Sequence, residues 1–132
     1  MATRGERNCN PGNINKGQGF KGEVPGSDPR FATFSTPVMG IRAIAVVLLT
    51  YYNDHAINTI RGLVNRWAPS VENDTLAYVQ DIVNRTGYAA DYELDFENPA
   101  ILEKLVSAII WHENGENNYT EQQIEDAVDA AL

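Results

Sequence analysis

The chain has 132 residues, 43% hydrophobic and 21% charged, which fits one globular domain able to bury a core without disulfide staples. A net charge of −8 repels a phosphate backbone, so no nucleic-acid partner is expected. The single cysteine, Cys9, excludes an internal disulfide and a cysteine-built zinc site.

Residues 1–36 are rich in Gly, Asn and Pro, and "NPGNINKGQG" and "VPGSDPR" read as turns. Phe31 and Phe34, with the segment around Phe20, predict a short hairpin, and Glu6 reads as a solvated residue of a flexible segment. The opening "MATRGERNCN" has no apolar signal region, so no signal peptide is expected. No later run reaches the ~20 apolar residues of a membrane helix, so no membrane insertion is expected either.

Residues 37–132 read as helical. "STPVMGIRAIAVVLLTYYN" has Thr36 to cap and Pro37 to start a helix, with Ile41, Ile44, Ala45, Leu48 and Leu49 at helical spacing. "NTIRGLVNRWAP" is a shorter helix stopped before Pro69. In "NDTLAYVQDIVNRTG", Asn73 or Asp74 caps and Gly87 terminates. "NPAILEKLVSAIIWHENG" opens on Asn98 and Pro99 and stops at Gly115, and "TEQQIEDAVDAAL" opens on the Thr120–Gln123 capping box. The expectation is one mainly α domain with minor β near the N-terminus.

The stretch "IIWHENG" draws attention to Glu113. Leu102, Leu105, Val106 and Ile109 form an apolar stripe, and Glu113 continues it one turn on. Partial burial and the negative end of the helix dipole would both favour a protonated carboxyl there, which is what a general acid needs. The competing reading is a frayed helix end with Glu113 in water. "HENGE" lacks the second histidine of a zinc protease, so no metal is expected. Glu72 lies just before a helix start, where the dipole favours ionisation; it reads either as a helix-end charge or as a base. Tyr51, Tyr52, Trp67, Tyr78, Trp111 and Tyr119 read either as core or as sugar-stacking surfaces. Asn8, Asn10 and Asn13 read either as turn residues or as groups that bind polar ligands.

Four blocks carry a resemblance: "RGERNCNPGNINKG", "FATFSTPVMGIRAIAVVLLTYY", "TIRGLVNRWAPSVENDTLAYV" and "AIIWHENG". In this order they resemble a family of small phage and prophage proteins described as virion structural or peptidoglycan-degrading. Cys9 stands where that family's opening block usually has Asn, and Glu6 where an aliphatic residue is common. More loosely, the chain resembles bacterial cell-wall glucosaminidases and lysozyme-like enzymes, in which a helix ending in the catalytic Glu precedes an Asn-rich loop. Here that helix comes last and the loop, Asn10 to Ile14, comes first.

The resemblance implies a lysozyme-like fold in circularly permuted order, with "WHENG" abutting "NPGNI". It implies a lytic transglycosylase or muramidase of endolysin type that cuts peptidoglycan, with Glu113 as general acid and Glu72 as its partner carboxylate. Asn10, Asn13, Tyr51, Tyr78 and Trp111 would bind the substrate, and no cofactor is implied. The other reading of the same resemblance is a non-catalytic virion structural or saccharide-binding module. Peptidoglycan and other virion proteins are the expected partners. The expected location is the virion or host cytoplasm, from which the protein reaches the cell wall without a signal of its own.

Overall fold

The computed structural model describes residues 2–69 and 74–132. In chain order the described elements are helix α1 (Arg4–Arg7), strands β1 (Glu23–Val24) and β2 (Thr33–Phe34), and helices α2 (Pro37–His55), α3 (Ile60–Trp67), α4 (Thr75–Thr86), α5 (Pro99–Asn114) and α6 (Glu121–Ala131). The fold is thus mainly helical with one small antiparallel hairpin.

The helix limits follow from side-chain caps. Thr36, Thr59 and Asp74 accept the backbone N–H groups of Met39, Gly62 and Ala77, which have no partner inside the first turn. Asn98 accepts from Ala100 and Ile101 ahead of Pro99. Thr120 and Gln123 form the expected reciprocal box. Gly87 and Gly115 end their helices at positive φ, a conformation that costs glycine nothing. Glu72 and Asn73 lie outside the described residues, and the cap of α4 is Asp74.

The core is the sum of the inward stripes. Ile41, Ile44 and Leu48 of α2 are buried together with Leu63 and Val64 of α3, Ile82 of α4, Leu102, Leu105 and Ile109 of α5 and Val128 of α6. Helix α5 packs against α1, α2, α4 and α6. Its carboxyl end is therefore surrounded by other elements.

The N-terminal third is ordered by polar contacts. The flexible segment expected around Glu6 is instead α1, closed by a second capping box. Thr3 Oγ1 accepts from Glu6 N, and Glu6 Oε1 accepts from Thr3 N at 3.0 Å. Glu6 Oε2 also accepts from Asn118 Nδ2. The Thr3 N–H first, with Glu116 and Asn118 beyond it, holds the Glu6 carboxyl down at about 2.

Asp28 ties α1 to the hairpin. It accepts a fork from Arg4 at 2.6 and 2.7 Å, one bond from Asn8, and the backbone N–H groups of Arg30 and Phe31. The hairpin pairs Glu23 with Phe34 and Val24 with Thr33. Phe34 is buried; Phe20 packs half-buried against the core instead of forming the pairing strand.

Two glycines let this loop region lie flat on α2. A Cβ on Gly40 would come within 1.7 Å of the Cys9 carbonyl oxygen, and one on Gly12 within 2.8 Å of Ile44. Only hydrogen at those positions permits such an approach.

Candidate functional site

The last turn of α5 lies beside the Asn-rich loop. Glu113 is inside the helix, with the Gly115 N–H bonded to the Trp111 carbonyl one turn back, so the frayed-end reading does not hold. The half-buried side chain is held from two sides. Tyr78 Oη donates to Glu113 Oε2 at 2.8 Å, and Asn13 Nδ2 donates to Oε1 at 3.3 Å. Asn13 has φ of 50°, a left-handed conformation that Asn tolerates better than most residues.

Tyr78 comes from α4 and is almost wholly buried. Burial, followed by the charge and hydrogen bond of Glu113, pushes its phenol far above the ordinary tyrosine range. In the pair Tyr78 is the hydrogen-bond donor and Glu113 the acceptor.

The Tyr78 ring lies 3.6 Å, centroid to centroid, from that of His112. His112 Nδ1 sits 2.8 Å from Asp81 Oδ2, and Arg85 Nε donates to the other Asp81 oxygen at 2.9 Å. Burial raises Asp81, but His112 and Arg85 outweigh it and hold the carboxyl below its usual range. A third support comes from Asn114. Its Nδ2 donates to the Pro11 carbonyl at 2.8 Å, and its Oδ1 accepts from Thr3 Oγ1 at 2.7 Å. The end of α5, the Asn-rich loop and α1 are thus fastened to one another.

Glu113 and Asn13 line an open groove of about 700 Å³ together with Asn15, Gln18, Arg30, Phe31, Tyr51 and Trp67. Three rings, three amides, one guanidinium and one carboxylate face the same space. Among the described lining residues Glu113 is the one acid.

The sequence-selected residues divide. Asn13, Tyr51 and Glu113 line this groove. Asn10 does not: it is fully buried, its Nδ2 donating to the Ile14 and Ala32 carbonyls and its Oδ1 accepting from Ile14 N, so its role is to shape the loop. Tyr78 stands behind Glu113, where it positions the carboxylate and is too buried to stack on a ligand. Trp111 is two residues from Glu113, about 200° around the helix. It lines a separate groove of about 730 Å³ among α4, α5 and α6, under the Arg85 guanidinium. Glu72 falls outside the described residues. Trp67, named in the sequence only among the general aromatics, and Gln18, Arg30 and Phe31 are groove residues that helical spacing could not single out.

No family model matches the chain. Its architecture and groove are those of a small, mainly helical protein with a polar, ring-lined cleft. Protein P5 of Pseudoalteromonas phage PM2 is 42% identical to it over 129 residues, which is 93% of this chain and 78% of the relative. The chain belongs to the family of Protein P5.

These findings correct the enzymatic reading. The relative bears the name of a phage protein and no enzyme name, and it gives no support to a hydrolase, a transglycosylase or an endolysin. Among the described residues no group of three or more His, Cys, Asp or Glu side chains gathers in a way that could hold a metal. Among the described residues no helix is long and apolar enough to cross a membrane.

Proposed function

We propose that this chain is a non-catalytic, saccharide-binding module of a phage particle, that its groove takes the glycan of bacterial peptidoglycan, and that it has a lysozyme-like arrangement in permuted order. The observation that carries the reading is the make-up of the groove. Sugars offer apolar C–H faces and a rim of hydroxyl and amide groups. Tyr51 and Trp67 suit the faces; Asn13, Asn15 and Gln18 suit the rim.

Glu113 fits this role as a fixed acceptor. Tyr78 holds one oxygen at 2.8 Å, while the 3.3 Å bond from Asn13 is long enough to be exchanged for a sugar hydroxyl or an acetamido N–H. The permuted arrangement is supported by the same bond, which joins residues 100 positions apart and brings the two ends of the chain to one groove. Membership of a phage protein family supports a place among the other proteins of the particle.

The test is co-sedimentation with purified insoluble peptidoglycan, with mass spectrometry of the supernatant. Protein in the pellet and no soluble glycan fragments is the expected result. Protein left in solution, or fragments accumulating with time, would overturn the proposal.

A further inference from the structure

Arg30 and Arg66 stand out in a chain of net charge −8. Arg30 lines the groove, with its guanidinium carbon 5.0 Å from the centroid of the Phe31 ring, another lining residue. Arg66 lies 5.5 Å over Tyr51, on a second lining ring. Both arginines are exposed, and among the described residues neither is paired with a carboxylate. Among the described residues the hydrogen-bond partner of the Arg66 guanidinium is His55, at 3.4 Å.

Of the other arginines, Arg7 and Arg42 donate to the backbone carbonyls of Ala2 and Ala130, away from the groove lining, and three are neutralised by carboxylates. Arg4, on the same Phe31 ring at 4.5 Å, is forked onto Asp28; Arg61 is forked onto Asp91; Arg85 is held by Asp81. Among the described residues, Arg30 and Arg66 therefore present planar donors without a carboxylate partner, each set by stacking on a ring that also lines the groove. Glu113 supplies the opposite charge at the α5 side. An anionic group is repelled there and attracted to the arginines, so the groove gives a charged ligand one favoured orientation.

We infer that Arg30 and Arg66 select a saccharide that bears carboxylates over a neutral one of the same length. This rests on the saccharide-binding reading and adds the charge of the ligand. Peptidoglycan meets the requirement through the carboxyl groups of its attached peptides and, where a muramic acid carries no peptide, through the free lactyl carboxyl of that sugar. Each guanidinium would give a charge-assisted, potentially bidentate contact at an exposed rim, where solvent screening reduces its strength.

The test is calorimetric titration of the intact protein with two probes, a tetrasaccharide containing muramic acid and the neutral chitotetraose. The wild type should bind the muramic acid probe on the order of tenfold more tightly. That preference should weaken steeply between low salt and about 0.5 M, as a charge contact at an exposed site does. In the double variant Arg30→Gln/Arg66→Gln the ratio of the two affinities should collapse towards one. Arg30→Lys/Arg66→Lys should keep part of it, because the charge remains while the planar stack is lost. Lys104→Gln, in the other groove, should leave both affinities as they were.

Equal binding of the two probes by the wild type, or a ratio unmoved in the double glutamine variant, would overturn the inference and leave the saccharide reading standing. If neither probe binds, the saccharide reading falls and this inference with it.

Discussion

The N-terminal third and the helical remainder are held together by different physics. The helices are organised by apolar burial: α2, α3, α5 and α6 each place an aliphatic stripe in one core. The N-terminal segment contributes little to that core beyond Ile14, Ala32 and Phe34. Its shape comes from directional contacts, with Asp28 gathering Arg4, Asn8 and two backbone amides and Asn10 bridging the loop to the hairpin. The groove lies where the two regions meet. The helices supply a floor with Glu113, Tyr51 and Trp67, and the polar segment supplies Asn13, Asn15, Gln18 and Arg30 as a wall. Damage to the core should unfold the whole chain, whereas damage to the polar ties should remove the wall and spare the floor.

The largest expected effect is in the core. Ile109→Ala removes a fully buried side chain from α5 and should cost about 2–5 kcal/mol, read by denaturant unfolding as one cooperative loss of both regions. Gly40→Ala addresses the seam. Its Cβ would meet the Cys9 backbone oxygen, which cannot rotate away, so the loop must lift from α2. The expected cost is about 1–3 kcal/mol, and saccharide binding should fall further than stability does. Unchanged binding in that variant would show that the wall is not part of the site.

The polar ties can be separated from the core by pH. Both Asp28, held far below the carboxylate range first by Arg4, and Glu6, held at about 2 first by the Thr3 N–H, have folded values below their unfolded ones. Each therefore contributes fully above the unfolded range near pH 4 and loses its contribution as the pH falls further. Wild-type melting temperature should drop between about pH 5 and pH 2. Asp28→Asn should melt lower at pH 7 yet drop less over that interval. An acid profile parallel to that of the wild type would remove Asp28 from the account.

Smaller effects are expected behind the carboxylate. Tyr78→Phe keeps the buried ring and deletes the donor to Glu113; about 1–2 kcal/mol is expected, with saccharide binding weakened because the acceptor is no longer fixed. Glu113→Gln should change stability least, by under about 1 kcal/mol, since Gln Oε1 still accepts from Tyr78.

The helical region was legible in the sequence because its signals are local. Thr36 with Pro37, Asn98 with Pro99, and Thr120 with Gln123 mark helix starts within a few residues of the groups they cap. The polar region was not. The Thr3–Glu6 box was hidden by a helix of a single turn, and the ties of Asp28 to Arg4 span 24 positions that no periodicity links. The site shows the same division. Glu113 stood out as a carboxylate on an apolar stripe, but the same stripe could not reveal that a buried tyrosine from α4 would fix it as an acceptor. Asn10 and Asn13 looked alike in sequence; only the fold turns one inward and the other to the groove.

The central claim is that the groove containing Glu113 binds glycan and the groove containing Trp111 does not. Co-sedimentation of Trp67→Ala and Trp111→Ala with insoluble peptidoglycan tests it directly, with circular dichroism melts to verify that both fold. Loss of a stacking ring should weaken Trp67→Ala about tenfold, while Trp111→Ala should pellet like the wild type. Wild-type binding by a folded Trp67→Ala protein, with loss in Trp111→Ala, would contradict the claim and move the binding surface to the face between α4, α5 and α6.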